Sequence, residues 1–247
     1  MRTVVFLSDF GYLDPYVGIV KGAIKSSCNV EIIDLSHNID SFKLKSAQFI
    51  LKHSYKYFPE GSIFLVVVDP EVGSFARPIV VKRKNYTFVG RDNGILTFDN
   101  DFKVFSVDEG FKDVSATFHA RDVFAKIVCK IINKKINLTK IESFEKFNIE
   151  EVVFSKDEQK GEVLWIDKFG NIITNIKTNS NNYELVINGF TIEKKAQYYA
   201  EFKESFFAIE GSFGFLEIAK YQDSAAKILN VKIGNNVIVR SKNESNN

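Results

Sequence analysis

Cysteine is scarce in this chain: Cys28 and Cys129 are the only two among 247 residues. They lie far apart and outside any metal-ligand spacing, so they are expected as buried free thiols in a reducing compartment. An excess of one charge is also missing. The 33 basic and 31 acidic residues are interspersed and leave a net charge of +2, which offers no field for a nucleic acid partner. No apolar stretch reaches the length of a signal peptide or a bilayer span, and Met1-Arg2-Thr3-Val4 starts a strand at once. A cytoplasmic protein with no membrane partner is therefore expected. No glycine-rich phosphate loop of either common form occurs, which disfavours a nucleotide held by its phosphates and leaves a nucleoside-like ligand open. No two of the three histidines have helical or hairpin ligand spacing, so no metal site is expected.

The composition that remains, 45% hydrophobic and 26% charged, is that of a globular chain able to bury a core. Its most informative stretch is Asp69-Pro70-Glu71-Val72-Gly73, directly after the apolar run Ile63 to Val68. A short run so rich in β-branched residues reads as a strand buried on both faces. Two further runs end alike: Val4 to Leu7 leads into Ser8-Asp9-Phe10-Gly11, and Val30 to Ile33 into Asp34-Leu35-Ser36-His37. Ligands of open parallel sheets bind beyond the carboxyl ends of the strands, so these carboxylates are delivered to one edge.

Up to about residue 155, strands alternate with segments of helical period at Tyr16 to Ile24, Leu44 to Tyr57 and Asp122 to Ile132. Ile79 to Val81 and Tyr86 to Val89 read as a hairpin, followed by the turn Asp92-Asn93-Gly94, so mixed strand directions are expected at one edge. Asn133 to Lys160 is polar and weakly periodic, as in a surface connection. Beyond it, short alternating runs from Val163 to Val239 suggest a small barrel or sandwich. The reading is α/β: an N-terminal α/β domain (1–155) with a mostly parallel sheet, and a C-terminal all-β small barrel (156–247). Asn243 to Asn247 is expected to fray.

Several polar clusters can carry chemistry, each with a plainer alternative. Asp9 and Asp14 suit a sugar hydroxyl and an amine, or a turn and a helix cap. His119, before Ala120-Arg121-Asp122, can polarise a nucleophile or serve structure, and Asp122 can cap the helix. His37 and His53 are weaker candidates. Phe169 and Asn171, in Asp167-Lys168-Phe169-Gly170-Asn171, suit stacking and edge recognition of a nucleobase, or an Asx turn.

Taken in order, these motifs, with Thr117 to Asp122 and Gly211-Ser212-Phe213-Gly214, resemble the S-adenosylmethionine (SAM) hydroxide adenosyltransferases, or SAM hydrolases, relatives of fluorinase and chlorinase. The resemblance covers nearly the whole chain. It implies hydrolysis of SAM to adenosine and methionine without a cofactor, in a homotrimer whose site joins the first domain of one subunit to the second of its neighbour. It further implies that an Asp, an Arg and a His hold the attacking water. Asp69 and His119 match two of these. The family's arginine position holds Ala76 here, and Arg77, one residue on, is assigned the role, although a one-residue shift on a strand turns a side chain to the opposite face. Glu71 stands where the family has glycine. By the same resemblance Asp9 grips the ribose hydroxyls, Asp14 and Ser212 meet the methionine amine and carboxylate, Phe42 packs on the nucleoside, and Phe169 and Asn171 hold adenine. Phe213 replaces a cation of the halogenases. The alternatives are a SAM- or adenosine-binding protein with weakened catalysis and, more remotely, a halogenase, which Asp69 would oppose by repelling halide.

Overall fold

The computed structural model describes residues 2–71, 77–108, 110–155 and 157–242. The expectations placed on Val72, Gly73 and Ala76, and on the tail from Asn243, lie outside these residues. The chain forms two compact units, Met1–Asn148 and Ile149–Asn247. The division precedes residue 155 because the segment Val152–Phe154 pairs with a strand of the second unit.

In the first unit β1 (Thr3–Ser8), β2 (Glu31–Ser36) and β3 (Ile63–Val67) are joined by α1 (Tyr16–Ser27) and α2 (Leu44–Ser54). Every residue of β1 and β3 is buried, as their unbroken apolar runs require. The remaining strands are β4 (Pro78–Arg83), β5 (Tyr86–Arg91), β6 (Lys103–Val107) and β7 (Leu138–Ile141), and α3 (Ala125–Ile132) follows a wide π-type turn at Ala120–Phe124. The sheet order is β2-β1-β3-β5-β4-β6-β7. The ladders β1–β2, β1–β3 and β3–β5 are parallel, whereas β4–β5, β4–β6 and β6–β7 are antiparallel. The sheet is thus mixed rather than mostly parallel, since hairpin strands return directly without a crossover helix.

Helix α1 buries Val17, Val20 and Ile24, a helical spacing that points one stripe inward. With Ile127 and Val128 of α3 it closes over Val4, Phe6 and Leu65 of the sheet. The chain leaves β1 on one side for β2 and returns on its other side as β3. That reversal opens a crevice at the carboxyl ends of β1 and β3.

The second unit contains β8 (Val152–Phe154), β9 (Glu158–Ile166), β10 (Ile172–Thr174), β11 (Ile176–Thr178), β12 (Glu184–Ile187), β13 (Phe190–Ile192), β14 (Lys195–Ala196), β15 (Phe206–Glu210), β16 (Leu216–Lys220), the short α4 (Ala225–Ile228) and β17 (Asn236–Arg240). Eight strands run in the order β13-β12-β17-β9-β10-β16-β15-β14, and β11 pairs separately with β8. The sheet curls until β13 lies near β15, yet among the described residues no ladder joins its outer strands. It is therefore a curled half-barrel, which meets the expectation of a small barrel in part. Its outermost strands, three and two residues long, are too short to complete a ladder. Val163, Leu185, Leu216, Ile218, Val237 and Val239 fill its concave core.

Among the described residues no helix is long and apolar enough to cross a membrane, and no group of three metal-ligating side chains is arranged around a common point. Cys28 and Cys129 are free and buried, and burial raises the Cys129 thiol above its ordinary range.

Candidate active site

The crevice at the ends of β1 and β3 holds a cavity of about 310 Å³ lined by Asp9, Asp14, Phe42, Asp69 and His119. Five side chains singled out from sequence, drawn from four separate loops, thus meet in one place. Phe10, Tyr16 and Phe118 complete an apolar wall, their rings 5.3–6.3 Å apart in tilted and edge-to-face contacts. Sequence reading does not single these three out, since isolated aromatic residues look the same in a core.

Asp9 follows the last residue of β1, and its Oδ2 accepts the Phe42 amide at 2.9 Å. Phe42 adopts a φ of 68°, which places its ring at the cavity mouth. Burial raises the Asp9 pKa above the ordinary carboxylate value, and the charge of Asp69 adds to the effect. Beneath this loop, Ser8 Oγ lies 2.7 Å from His37 Nδ1, and His37 Nε2 faces Asp34 Oδ1 at 3.2 Å. Both Ser8 and His37 are fully buried, and the His37 carbonyl accepts the Gly11 amide at 2.7 Å. His37, a weak candidate in the sequence, is a buried pin under the Asp9 loop. Burial lowers its pKa despite the neighbouring carboxylate.

His119 sits where the wide turn before α3 begins, and turns of this kind recur at functional sites. Among the described residues none hydrogen-bonds its ring. Asp122 does not cap the helix with its side chain. It accepts the Ser115 amide at 2.9 Å and pairs with Arg121 at 2.6 and 2.7 Å. Chiefly through that guanidinium, its pKa falls to about 2. Arg121 is thereby committed to the turn.

Asp69 is where the structure corrects the arginine assignment. Arg77 does not reach Asp69: it pairs with Asp92 and donates to the Ser143 carbonyl at 2.6 Å. The hairpin register places Pro78 opposite Arg91, so Arg77 falls beside Asp92. The guanidinium on Asp69 is that of Arg91, whose Nη1 lies 2.8 and 2.9 Å from the two carboxylate oxygens. Gly90 permits this approach, because a Cβ there would meet the Val66 carbonyl oxygen at 2.6 Å. Parallel pairing of β3 with β5 brings together residues far apart in sequence. The available clue is that Arg91 ends a strand next to Asp92-Asn93-Gly94, whose Asn93 also donates to the Val68 carbonyl.

In the second unit a cavity of about 680 Å³ is lined by Asp167, Phe169, Asn171, Tyr199 and the Lys220–Ser224 segment. Asp167 accepts the amides of Phe169 and Asn171 and the Asn171 side chain, each at 2.9 Å. Gly170, at a φ of 84°, packs against Ser224 where no Cβ would fit, and Phe169 stands 75% exposed. Tyr199 donates to the buried Glu217 at 2.8 Å, whose pKa burial raises. Ser212 and Phe213 occupy the turn between β15 and β16 and do not line this cavity.

An α/β unit with carboxylates at its switch point, followed by a β-rich unit with an aromatic and amide pocket, has the make-up of an enzyme for a small polar molecule. The chain belongs to the SAM hydroxide adenosyltransferase family: its N-terminal domain model matches residues 4–142 and its C-terminal domain model residues 161–238. It is 36% identical to an (R)-S-adenosyl-L-methionine hydrolase of Methanocaldococcus jannaschii across 92% of both chains. It is 31% identical to one of Thermus thermophilus, across 95% of this chain and 98% of that one. The crystal structure of an uncharacterized conserved protein from Thermotoga maritima matches with a TM-score of 0.85 at 29% identity, over 96% of this chain and 99% of that one.

Proposed function

We propose that this protein hydrolyses S-adenosyl-L-methionine to adenosine and L-methionine, by attack of water or hydroxide on ribose C5′. The observation that carries the reading is the convergence of Asp9, Asp14, Phe42, Asp69 and His119 on one cavity in a chain of this family. The C5′–S bond breaks with its electron pair passing to sulfur, a C5′–O bond forms, and one proton leaves. Methionine departs as a neutral thioether and needs no acid. Catalysis therefore rests on holding the oxygen about 3–3.5 Å from carbon, opposite sulfur, and removing excess water. Asp69 accepts the proton of that oxygen, and His119 holds it from the other side. Three carboxylates attract the sulfonium cation and disfavour halide. The paired oxygens of Asp9 suit the cis-diol of ribose, and Phe42 covers the nucleoside.

Asp14 and Ser212 are assigned to the methionine end, with Phe213 beside them, and Phe169 and Asn171 to adenine. The exposure of Phe42 and Phe169, 62% and 75%, supports completion of the site by a second copy, in a homotrimer. The buried free thiols fit a reducing cytoplasm. Because the relatives are named for the (R) sulfonium epimer, that epimer is the proposed substrate. Resolved epimers incubated with the full chain without added halide test this: the (R) form should yield adenosine and methionine in equal amounts. Adenine as product, or no turnover of either epimer, refutes the assignment.

A further inference from the structure

We infer that Arg91 is the positioning residue for Asp69, and that it leaves one acceptor site, on Asp69 Oδ2, for the attacking water. The inference rests on the hydrolase reading above. Asp69 and Arg91 have side chains only 6% and 9% exposed, so their contacts are little diluted by solvent. An ionised carboxylate has about four acceptor sites, two on each oxygen. On Oδ1 both are used, by the Glu71 amide at 2.9 Å and by Arg91 Nη1 at 2.8 Å. On Oδ2, Arg91 Nη1 at 2.9 Å takes one, and among the described residues no other donor reaches it. The remaining site belongs to a carboxylate that lines the cavity shared with His119.

Arg91 is itself fixed. One Nη1 proton is shared between the two Asp69 oxygens and the other goes to the Glu71 carbonyl, while Nη2 donates to Glu71 Oε2, the last two both at 2.8 Å. A planar guanidinium held at both ends sets the plane of the carboxylate as well as its charge, which a point-charged ammonium does less well. Gly90 is part of the device, because only a residue without Cβ lets β5 come close enough to β3. The arginine beside Asp69 is thus not Arg77 but a residue on β5, and it acts through the carboxylate rather than on the water itself.

The test uses the full-length chain and its Arg91→Ala, Arg91→Lys and Glu71→Gln variants, with rates expressed per adenosine-binding site so that unfolded protein is not counted. Arg91→Ala should lower kcat about 10²-fold, the scale of a misplaced reacting group, while KM for SAM stays within about threefold. Arg91→Lys should recover part of the loss. Millimolar guanidinium should raise kcat of Arg91→Ala but not of the unmodified chain, and a purely architectural role would give no such rescue. Unchanged kcat per site in Arg91→Ala, with an active unmodified chain, overturns the inference alone. No adenosine from the unmodified chain refutes the hydrolase reading and this inference with it. Should Arg91→Ala not fold, the other two variants decide: kcat lowered in both supports the positioning role, and kcat unchanged in both overturns it.

Discussion

Replacing Asp69 by Asn exchanges one acceptor oxygen for a donor of nearly the same volume, and the surroundings of Asp69 allow its two effects to be separated. The Glu71 amide and Arg91 both donate to Oδ1, so the asparagine carbonyl takes that place. Its amide then replaces Oδ2, where it meets Arg91 as donor against donor and offers the water no acceptor. Removing one partner of a buried ion pair costs about 3–5 kcal/mol. Arg91 keeps the Glu71 carbonyl and carboxylate, which brings the expected loss below that range, to about 2–3 kcal/mol. At about 2–4 °C per kcal/mol, the first unit should melt roughly 4–12 °C lower. Turnover should fall by about 10²-fold or more, as for loss of a positioned base, while adenosine affinity stays within a few-fold because the ribose contacts are untouched. Initial rates of adenosine release at saturating SAM, with calorimetric adenosine titration well below the melting temperature, read the two effects apart. Unchanged turnover per binding site would remove Asp69 from the mechanism.

Arg77→Ala should cost about 1 kcal/mol in denaturant unfolding, since its half-exposed ion pair lies away from Asp69; a loss of turnover as deep as that of Arg91→Ala would show that the wrong arginine has been set on the nucleophile. Burial holds His37 below its ordinary value of 6.5, so the folded chain resists a proton that the unfolded chain accepts. Its contribution to stability is intact above about pH 6.5 and is lost as pH falls towards the lowered folded value. Unfolding midpoints measured above and below pH 6.5 should show this slope and its flattening in His37→Gln, and an equal slope in both would contradict the assignment. Phe169→Ala should raise KM about tenfold or more with kcat little changed, the worth of one base stacked on an aromatic ring, whereas unchanged KM would take Phe169 out of the adenine site.

The parts of the fold legible in the sequence are those with local causes. Unbroken apolar runs announce β1 and β3, and their terminal carboxylates announce the crevice, so Asp9 and Asp69 can be placed at one edge from local pattern, whereas His119 joins them only through the family resemblance. The hairpin at Lys84-Asn85 is equally plain. Arg91 is not, because its closeness to Asp69 depends on the pairing of β3 with β5 and on Gly90, which no local pattern encodes. Arg77 misleads for a related reason: it is near Asp69 in sequence, but strand register sends it to Asp92. His37 looks like an isolated polar residue because its partners Ser8 and Asp34 lie on two strands. The curled sheet of the second unit reads as a barrel, since short alternating strands have the same period whether or not the outer pair meets.

In the proposed reaction water attacks C5′ and displaces methionine. Reacting the full-length chain with the (R) epimer of SAM in oxygen-18 water, with mass spectrometry of the products, decides it. One labelled oxygen per adenosine is expected, on its 5′ position, together with unlabelled methionine. Adenosine without the label, or adenine in place of adenosine, would contradict this reaction.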